Sequence, residues 1–210
     1  MGDLGLILGV SGRVIPDVSV CAAGAAPPSV RVAMPLRSVT KGLRRFLTPS
    51  IVVTGVCYLR FGAKVSPRAE VELHPNLKLG KRCVISSFTK VKAADGPLVV
   101  GERGGFATGC FVASGEGGIE IGENVIVGPN VNIVAVNYRT DQLDVHLEDL
   151  GHTSRGIRIG KNVWIGAGCT ILDGAVIGDN TVVVANSLVN RRYKPNVVLS
   201  GHPAKVLMKR

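Results

Sequence analysis

Aromatic side chains are scarce in this chain of 210 residues: Phe, Tyr and Trp make up 4%, with one Trp and three Tyr, against 27 Gly. A core built around large rings is therefore excluded, and the interior must come from aliphatic and small residues in a Gly-punctuated arrangement. Paired cysteines are also missing. The five cysteines, at positions 21, 57, 83, 110 and 169, form an odd set without a CxxC pair, which argues against a disulfide framework or a thiolate zinc site and fits a reducing cytoplasm. No long hydrophobic run is present. The apolar piece LGLILGV is too short to span a bilayer and carries Asp3 in place of a basic flank, which argues against a transmembrane helix or a secretory signal, so a soluble chain is expected. Acidic residues are the minority, 15 against 25 Lys and Arg, for a net charge of +10. Such a charge suits nucleic acid, an acidic lipid surface or a phosphorylated ligand. The basic residues concentrate at 31–60 and 191–210, and neither run has the interleaved aromatics on which single-strand binders stack bases, so no nucleic-acid partner is expected.

What is abundant is a period. Ile159, Ile165, Ile171, Ile177, Val183 and Val189 stand six residues apart, each usually followed by Gly and two small or polar residues. The same phase runs upstream through Leu59, Val65 and Val71, through Leu79, Ile85 and Val91, through Val100, Phe106 and Val112, and through Ile121, Val127 and Ile133. Six suits neither a helix nor a plain alternating strand, but it suits a short strand followed by a sharp corner. Three such units close one triangular coil. Coil starts at Leu59, Leu79, Val100 and Ile121 are separated by 20, 21 and 21 residues, and Ile159 to Ile177 by 18, so the coils can stack in register with the aliphatic ladder inside. Cys83, Cys110 and Cys169 all occupy the fifth position of their hexapeptides, where a small inward side chain is wanted, and they read as wall residues.

The rule breaks once. From Ile121 to Ile159 the gap is 38 residues, and after GPNVNIV no aliphatic ladder returns until GIRIG. The simplest reading is one coil with a long polar loop projecting from it over 137–155, carrying two histidines and several acids; long loops in compact repeats are usually functional or disordered.

At NVWIGAGCTILDGAVIGDN and the closing SGHPAKV, the chain resembles the hexapeptide-repeat acyltransferases, in particular the sugar and polysaccharide O-acetyltransferases, over residues 58 to 208. The resemblance implies an all-β, left-handed parallel β-helix assembled as a homotrimer. It also implies acetyl-CoA as co-substrate in the groove between subunits, a saccharide or glycan acceptor, and a projecting loop over the site. Carried onto this chain, it places Trp164 beside the active-site loop and puts the backbone of Gly166, Ala167 and Ala185 along the pantetheine arm. Arg191 and Lys205 then stand at the CoA phosphates, as cationic partners of phosphate do. Ser114 and Asp141 fall on the substrate side. Members of the family carry an Asn-His pair at the loop's start, whose histidine is the general base. This chain reads Val136-Asn137-Tyr138-Arg139, so the base position is Tyr138. A phenol, with its ordinary pKa of about 10, is a poor base at neutral pH. Three readings follow: His146 or, with less support, His152 takes over; Tyr138 only positions an amine acceptor that needs little help; or the chain is a catalytically lapsed scaffold. His74, His146, His152 and His202 do not lie on facing coils as a zinc site would need, so no metal is expected.

Organisation follows from the period. Residues 1–57 form an N-terminal extension in which PLRSVTKGLRRFL, 35–47, is expected as a basic amphipathic helix capping the first coil, with a membrane-surface contact as its alternative role. The β-helix is assigned to 58–190. A C-terminal tail, 191–210, is expected to leave it, with Pro195 and Pro203 bracketing the departure.

Overall fold

The computed structural model describes residues 49–210. The expected basic helix at 35–47, and the membrane contact attached to it, lie outside the described residues.

Each hexapeptide forms a strand of two or three residues, and the strands lie on three parallel faces. The first face runs from Lys64–Val65 through Val84–Ile85, Gly105–Phe106, Ile126–Val127 and Trp164–Ile165 to Val182–Val183 and Val197–Gly201. The second carries Glu70–Val71, Lys90–Lys92, Phe111–Ala113, Asn132–Val134, Thr170–Leu172 and Leu188–Val189. The third carries Leu77–Leu79, Leu98–Val100, Ile119–Ile121, Ile157–Ile159, Val176–Ile177 and Arg192–Tyr193. The chain visits the faces in that order, coil after coil, and every rung pairs in parallel with the equivalent rung above and below, as in Val71↔Val91 and Ile121↔Ile159.

The reason is visible in the burial pattern. Each short strand of the stack turns one side chain in, or two in third-face strands such as Leu77–Leu79 and Ile157–Ile159, and the six-residue ladder is inward: Ile85, Val112, Ile133, Ile165, Ile171, Ile177 and Val189 are all at most 1% exposed. With period six and three faces, each inward aliphatic rests on its counterpart one coil away, so the core is a continuous column rather than a ball. The corners need left-handed backbone, supplied by Gly and by Asn124, Asn130, Asn162, Asn180, Asn186 and Asn196, all at φ of 55–60°. Asparagine adds a ladder of its own, because Asn162 Nδ2 donates to Asn180 Oδ1 at 2.9 Å and Asn180 Nδ2 to Asn196 Oδ1 at 3.0 Å. Cys83, Cys110 and Cys169 are buried wall residues as expected, and each thiol donates to a backbone carbonyl of the following coil, Gly101, Gly128 and Val184 respectively. Burial pushes all three thiols above the usual cysteine range.

Both ends differ from the sequence reading. Leu59 does not start a coil: it lies in helix α1, Ser50–Phe61, and is 86% exposed. The segment SIVVTGVCYLRF turns Val53 and Cys57 onto the open end of the stack, and Gly62 at φ 64° ends it in a left-handed cap. A six-residue phase cannot by itself distinguish a strand from one turn of such a helix, and Leu59 matched by chance. At the other end the chain does not leave. Val197–Gly201 completes a further rung, and Ala204–Lys209 folds back antiparallel on it, so the hairpin covers the last coil. Tyr193 Oη fastens that return by donating to Ala204 O at 2.8 Å.

Candidate active site at the coil excursion

One coil runs through Ile119–Ile121, Ile126–Val127 and Asn132–Val134 and then is interrupted at its corner between the second and third faces. The next third-face strand, Ile157–Ile159, still pairs with Ile119–Ile121. The chain between them is therefore an excursion from a single coil, as its length requires.

The excursion is folded at its stem. Asn137–Tyr138 and His152–Thr153 pair antiparallel, with Asn137 opposite Thr153 and Tyr138 opposite His152. Beyond the stem, residues 139–149 are all exposed, and Leu150 is the buried side chain of the tip. The root is held from both sides of the stack. Ser154 Oγ donates to Ala135 O and accepts from Gly117 N of the preceding coil at 3.0 Å. From the following coil comes Asp173, whose side chain is 1% exposed. Its Oδ1 accepts from the backbone N–H of Arg155 and of Gly156, each at 2.8 Å, and its Oδ2 from Asn137 Nδ2 at 3.3 Å. The Arg155 guanidinium lies 3.5 Å away. A single buried carboxylate thus ties both feet of the excursion to the scaffold. Gly156, at φ 85°, has to be glycine, since a Cβ there would lie 2.2 Å from Gly117 O.

Tyr138 and Asn137 stand on the first strand of the stem, both exposed, Tyr138 at 58%. His146 is at the exposed tip, where its carbonyl accepts from Asp149 N at 2.9 Å. Opposite Tyr138 stands His152, with ring centroids 4.4 Å apart and planes inclined at 48°. Reading the loop from sequence ranked His152 below His146, because antiparallel pairing inside a polar insertion leaves no trace in a six-residue phase. The available signal is positional: Tyr138 lies one residue after the first residue of the loop, Asn137, and His152 four before the re-entry glycine, Gly156.

One of the two substrate-side expectations needs correction. Ser114 is 2% exposed, and its hydroxyl donates to Pro97 O at 2.8 Å and lies 3.3 Å from Gly115 O; it closes a corner and faces no groove. Asp141 is on the surface but already paired, with Arg139 Nε at 3.0 Å and Nη2 at 2.5 Å from its two oxygens. That bidentate hydrogen bond holds the Asp141 carboxyl below its usual range and raises Arg139. Asp173, the group that organises the stem, was missed: LDGA reads as an ordinary corner in a chain where other corners also carry acids.

The residues expected at the cofactor are grouped by the coil geometry. Gly166 is buried at the corner after Trp164–Ile165, and a Cβ there would stand 2.5 Å from the backbone nitrogen of Ala185. Ala167 and Ala185 are exposed beside it on successive coils, so this corner offers small side chains and accessible backbone. Trp164 is 55% exposed on the outer first face, in register with Ile126 and Val182, a different face from the one the excursion leaves. Arg191 and Lys205 are exposed on the terminal rungs. Burial raises the Tyr193 phenol between them, and Arg191 opposes that rise. Residues 191–210 hold six Lys or Arg and no acid, so the end of the stack is a fixed cationic surface. Exposed small corners and a predominantly cationic terminal segment fit a long ligand with an anionic terminus. Among the described residues no cluster of His, Cys, Asp or Glu has metal-site geometry.

Comparison with known proteins adds the relatives. The family described as bacterial transferase hexapeptide (six repeats) matches residues 156–191. The "Putative lipopolysaccharide biosynthesis O-acetyl transferase WbbJ" of Escherichia coli (strain K12) is 30% identical over 159 residues, covering 61% of this chain and 80% of that protein. Three other curated relatives are 38–41% identical, but this chain spans under half of their length, 43–45%. Among solved structures, a mutant of AntD, an N-acyltransferase from Bacillus cereus in complex with dTDP and coenzyme A, has a TM-score of 0.62 at 19% identity, over 70% of this chain and 81% of that one. A galactoside acetyltransferase in complex with coenzyme A has a TM-score of 0.52 at 25% identity, over 84% of each chain. The stack of parallel coils is accordingly the left-handed β-helix.

Proposed function

This chain belongs to the hexapeptide-repeat acyltransferases, and on that footing we propose that it moves the acetyl group of acetyl-CoA to a saccharide hydroxyl or amino group. The setting is surface-polysaccharide or glycan biosynthesis in the cytoplasm, and the working form is a homotrimer. The observation that carries this reading is the folded excursion. The coil opens at one corner to present a polar stem, with Asn137, Tyr138 and His152 on it, and Asp173 fixes both feet of that stem. A stack serving only as a spacer has no use for such an anchor.

The parts divide the work. The cationic end, with Arg191 and Lys205, suits the phosphates of CoA, and the small corner at Gly166, Ala167 and Ala185 suits its narrow arm. Acetyl-CoA supplies an activated thioester. The chain's own task is to hold the acceptor, take its proton and keep the geometry fixed. The homotrimer is supported by the first face, where Val84, Ile126 and Trp164 are 44%, 61% and 55% exposed in one column. Apolar rows of that kind mark contacts between chains. The membrane-surface contact keeps only the charge of the N-terminal extension in its favour. Among the described residues no helix is long and apolar enough to cross a membrane.

A second reading rests on one specific observation: at Tyr138 a phenol stands where the family's base would be, as in a lapsed scaffold. Calorimetric titration of the full chain separates the two. The transferase binds acetyl-CoA saturably, about one per subunit, and binds CoA lacking the 3′-phosphate more weakly, an effect removed by replacing Arg191 and Lys205. A folded trimer that binds neither is the scaffold.

A further inference from the structure

Resting on the acetyl-transfer reading, we infer that His152, set against the ring of Tyr138, is the general base of this site.

Attack by a hydroxyl on a thioester requires a group that removes the proton as the new bond forms, and imidazole is the side chain best matched to neutral pH. The excursion offers few groups free for the task. Asp173 is enclosed and accepts from the backbone of Arg155 and Gly156 and from Asn137. Asp141 is committed to Arg139. Asp144, His146, Glu148 and Asp149 belong to the exposed tip. Tyr138 is a phenol. His152 differs from all of these in how it is held.

It lies on a paired strand, two residues before Ser154, which is bonded to Ala135 O and Gly117 N, and three before Arg155, whose N–H is fixed by Asp173. Its backbone is thereby tied to three consecutive coils. Its ring is fixed in turn by Tyr138 at 4.4 Å, while the residue as a whole remains exposed, so the ring edge stays open to an acceptor. A base has to be held in place and accessible at once, and His152 meets both conditions. Tyr138 is then a positioning residue: it packs one side of the imidazole and limits its rotamers. The base has crossed from one strand of the stem to the facing position on the other.

In the step that follows, the acceptor oxygen attacks the thioester carbonyl carbon while its proton passes to a ring nitrogen of His152. The carbon–sulfur bond breaks, and the departing thiolate takes that proton from the imidazolium. The products are the acetyl ester and free CoA, and His152 returns neutral.

The test uses the full chain with acetyl-CoA, a panel of galactosides and amino sugars as acceptors, and released CoA thiol as readout. Acetyl-CoA binding is measured calorimetrically for every variant. His152→Gln is expected to lower transfer to hydroxyls by about 10²–10⁴-fold with acetyl-CoA affinity unchanged, and transfer to amines far less. His146→Gln should stay near the wild-type rate. Imidazole added to His152→Ala should restore part of the lost turnover, which a structural role for His152 would not allow. The exchange Tyr138→His with His152→Tyr should retain more transfer than His152→Tyr alone. Full hydroxyl transfer by His152→Gln, or its loss in His146→Gln, would overturn the assignment while leaving the transferase reading intact. Failure of the wild type to bind acetyl-CoA would overturn both.

Discussion

The stack and its excursion obey opposite rules. In the coils nearly every inward position is filled by an aliphatic or small side chain, Phe106 and the core-packed Tyr193 being the aromatic exceptions, and the ladder recurs from Lys64–Val65 to Val197–Gly201. In the excursion, residues 139–149 are exposed, and what order there is comes from a few polar contacts at the root. The coils are stable because many equivalent contacts sum. The excursion is placed because a few unlike contacts are specific. That contrast is what a site built on a repeat needs: a rigid frame that tolerates one interruption, and an interruption whose root cannot wander.

Breaking the frame should cost most. Ile171→Ala removes a fully buried ladder residue and is expected to destabilise by about 2–5 kcal/mol in denaturant unfolding. Leu143→Ala, at 97% exposure in the tip, should stay within about 0.5 kcal/mol. Equal effects would dissolve the contrast. Next comes the root. Asp173→Ala leaves the Arg155 and Gly156 N–H groups without their acceptor, a loss of about 1–3 kcal/mol for the buried Gly156 donor and less for Arg155, which water can reach. The loss should be concentrated at the excursion: trypsin should cut at Arg139 and Arg155 faster than in the wild type while the coils stay resistant. Cleavage spread evenly along the coils would show that Asp173 serves the stack instead. On the outer first face, Ile126→Glu places a charge in the exposed apolar column and should shift the mass seen by light scattering from the proposed trimer to monomer without unfolding the coils. An unchanged mass would free that face of the assembly.

How much of this could be read from the residues themselves depends on the same contrast. The period announced the coils, their three faces and their corners, because inward aliphatics at fixed spacing leave no other use for Gly and Asn between them. It announced the break as well, since Ile121 and Ile159 are too far apart for one coil and the ladder, after Val127 and Ile133, does not return until GIRIG. The inside of the break was illegible in that phase. Tyr138 meets His152 through an antiparallel stem that only pairing geometry reveals, and Asp173 reaches the stem from a coil whose sequence resembles any other corner. Ser114 misled because a corner serine in a groove and one turned to Pro97 O look alike in sequence. Leu59 misled because one residue in phase is not a coil. The C-terminal return was hidden behind Pro195 and Pro203, which signal a turn and not its destination.

Smaller effects sharpen the comparison further. The thiols of Cys57, Cys83, Cys110 and Cys169 are all buried, and burial raises each above the usual range. They should resist a thiol reagent in the folded protein and react on unfolding, as mass spectrometry of labelled peptides would show; fast native labelling would mean that the wall opens. The Arg139–Asp141 pair is the least. Its carboxyl is held below the usual range in the folded chain, so its contribution is present above the unfolded pKa of about 4 and is lost as pH falls through the lower folded value. Both groups are exposed, so the change should register as a local shift of tip resonances on acidification, with the global melting temperature unmoved.

The central claim, that coils carry and the excursion reacts, is tested most directly by excising the excursion. Residues 137–153 are replaced by a short Gly-containing corner, and acetyl transfer and acetyl-CoA affinity are measured on the folded protein. The account predicts unchanged affinity and a fall in hydroxyl transfer of at least about 10²-fold, the scale of a lost general base. Transfer at the wild-type rate without the excursion would contradict it.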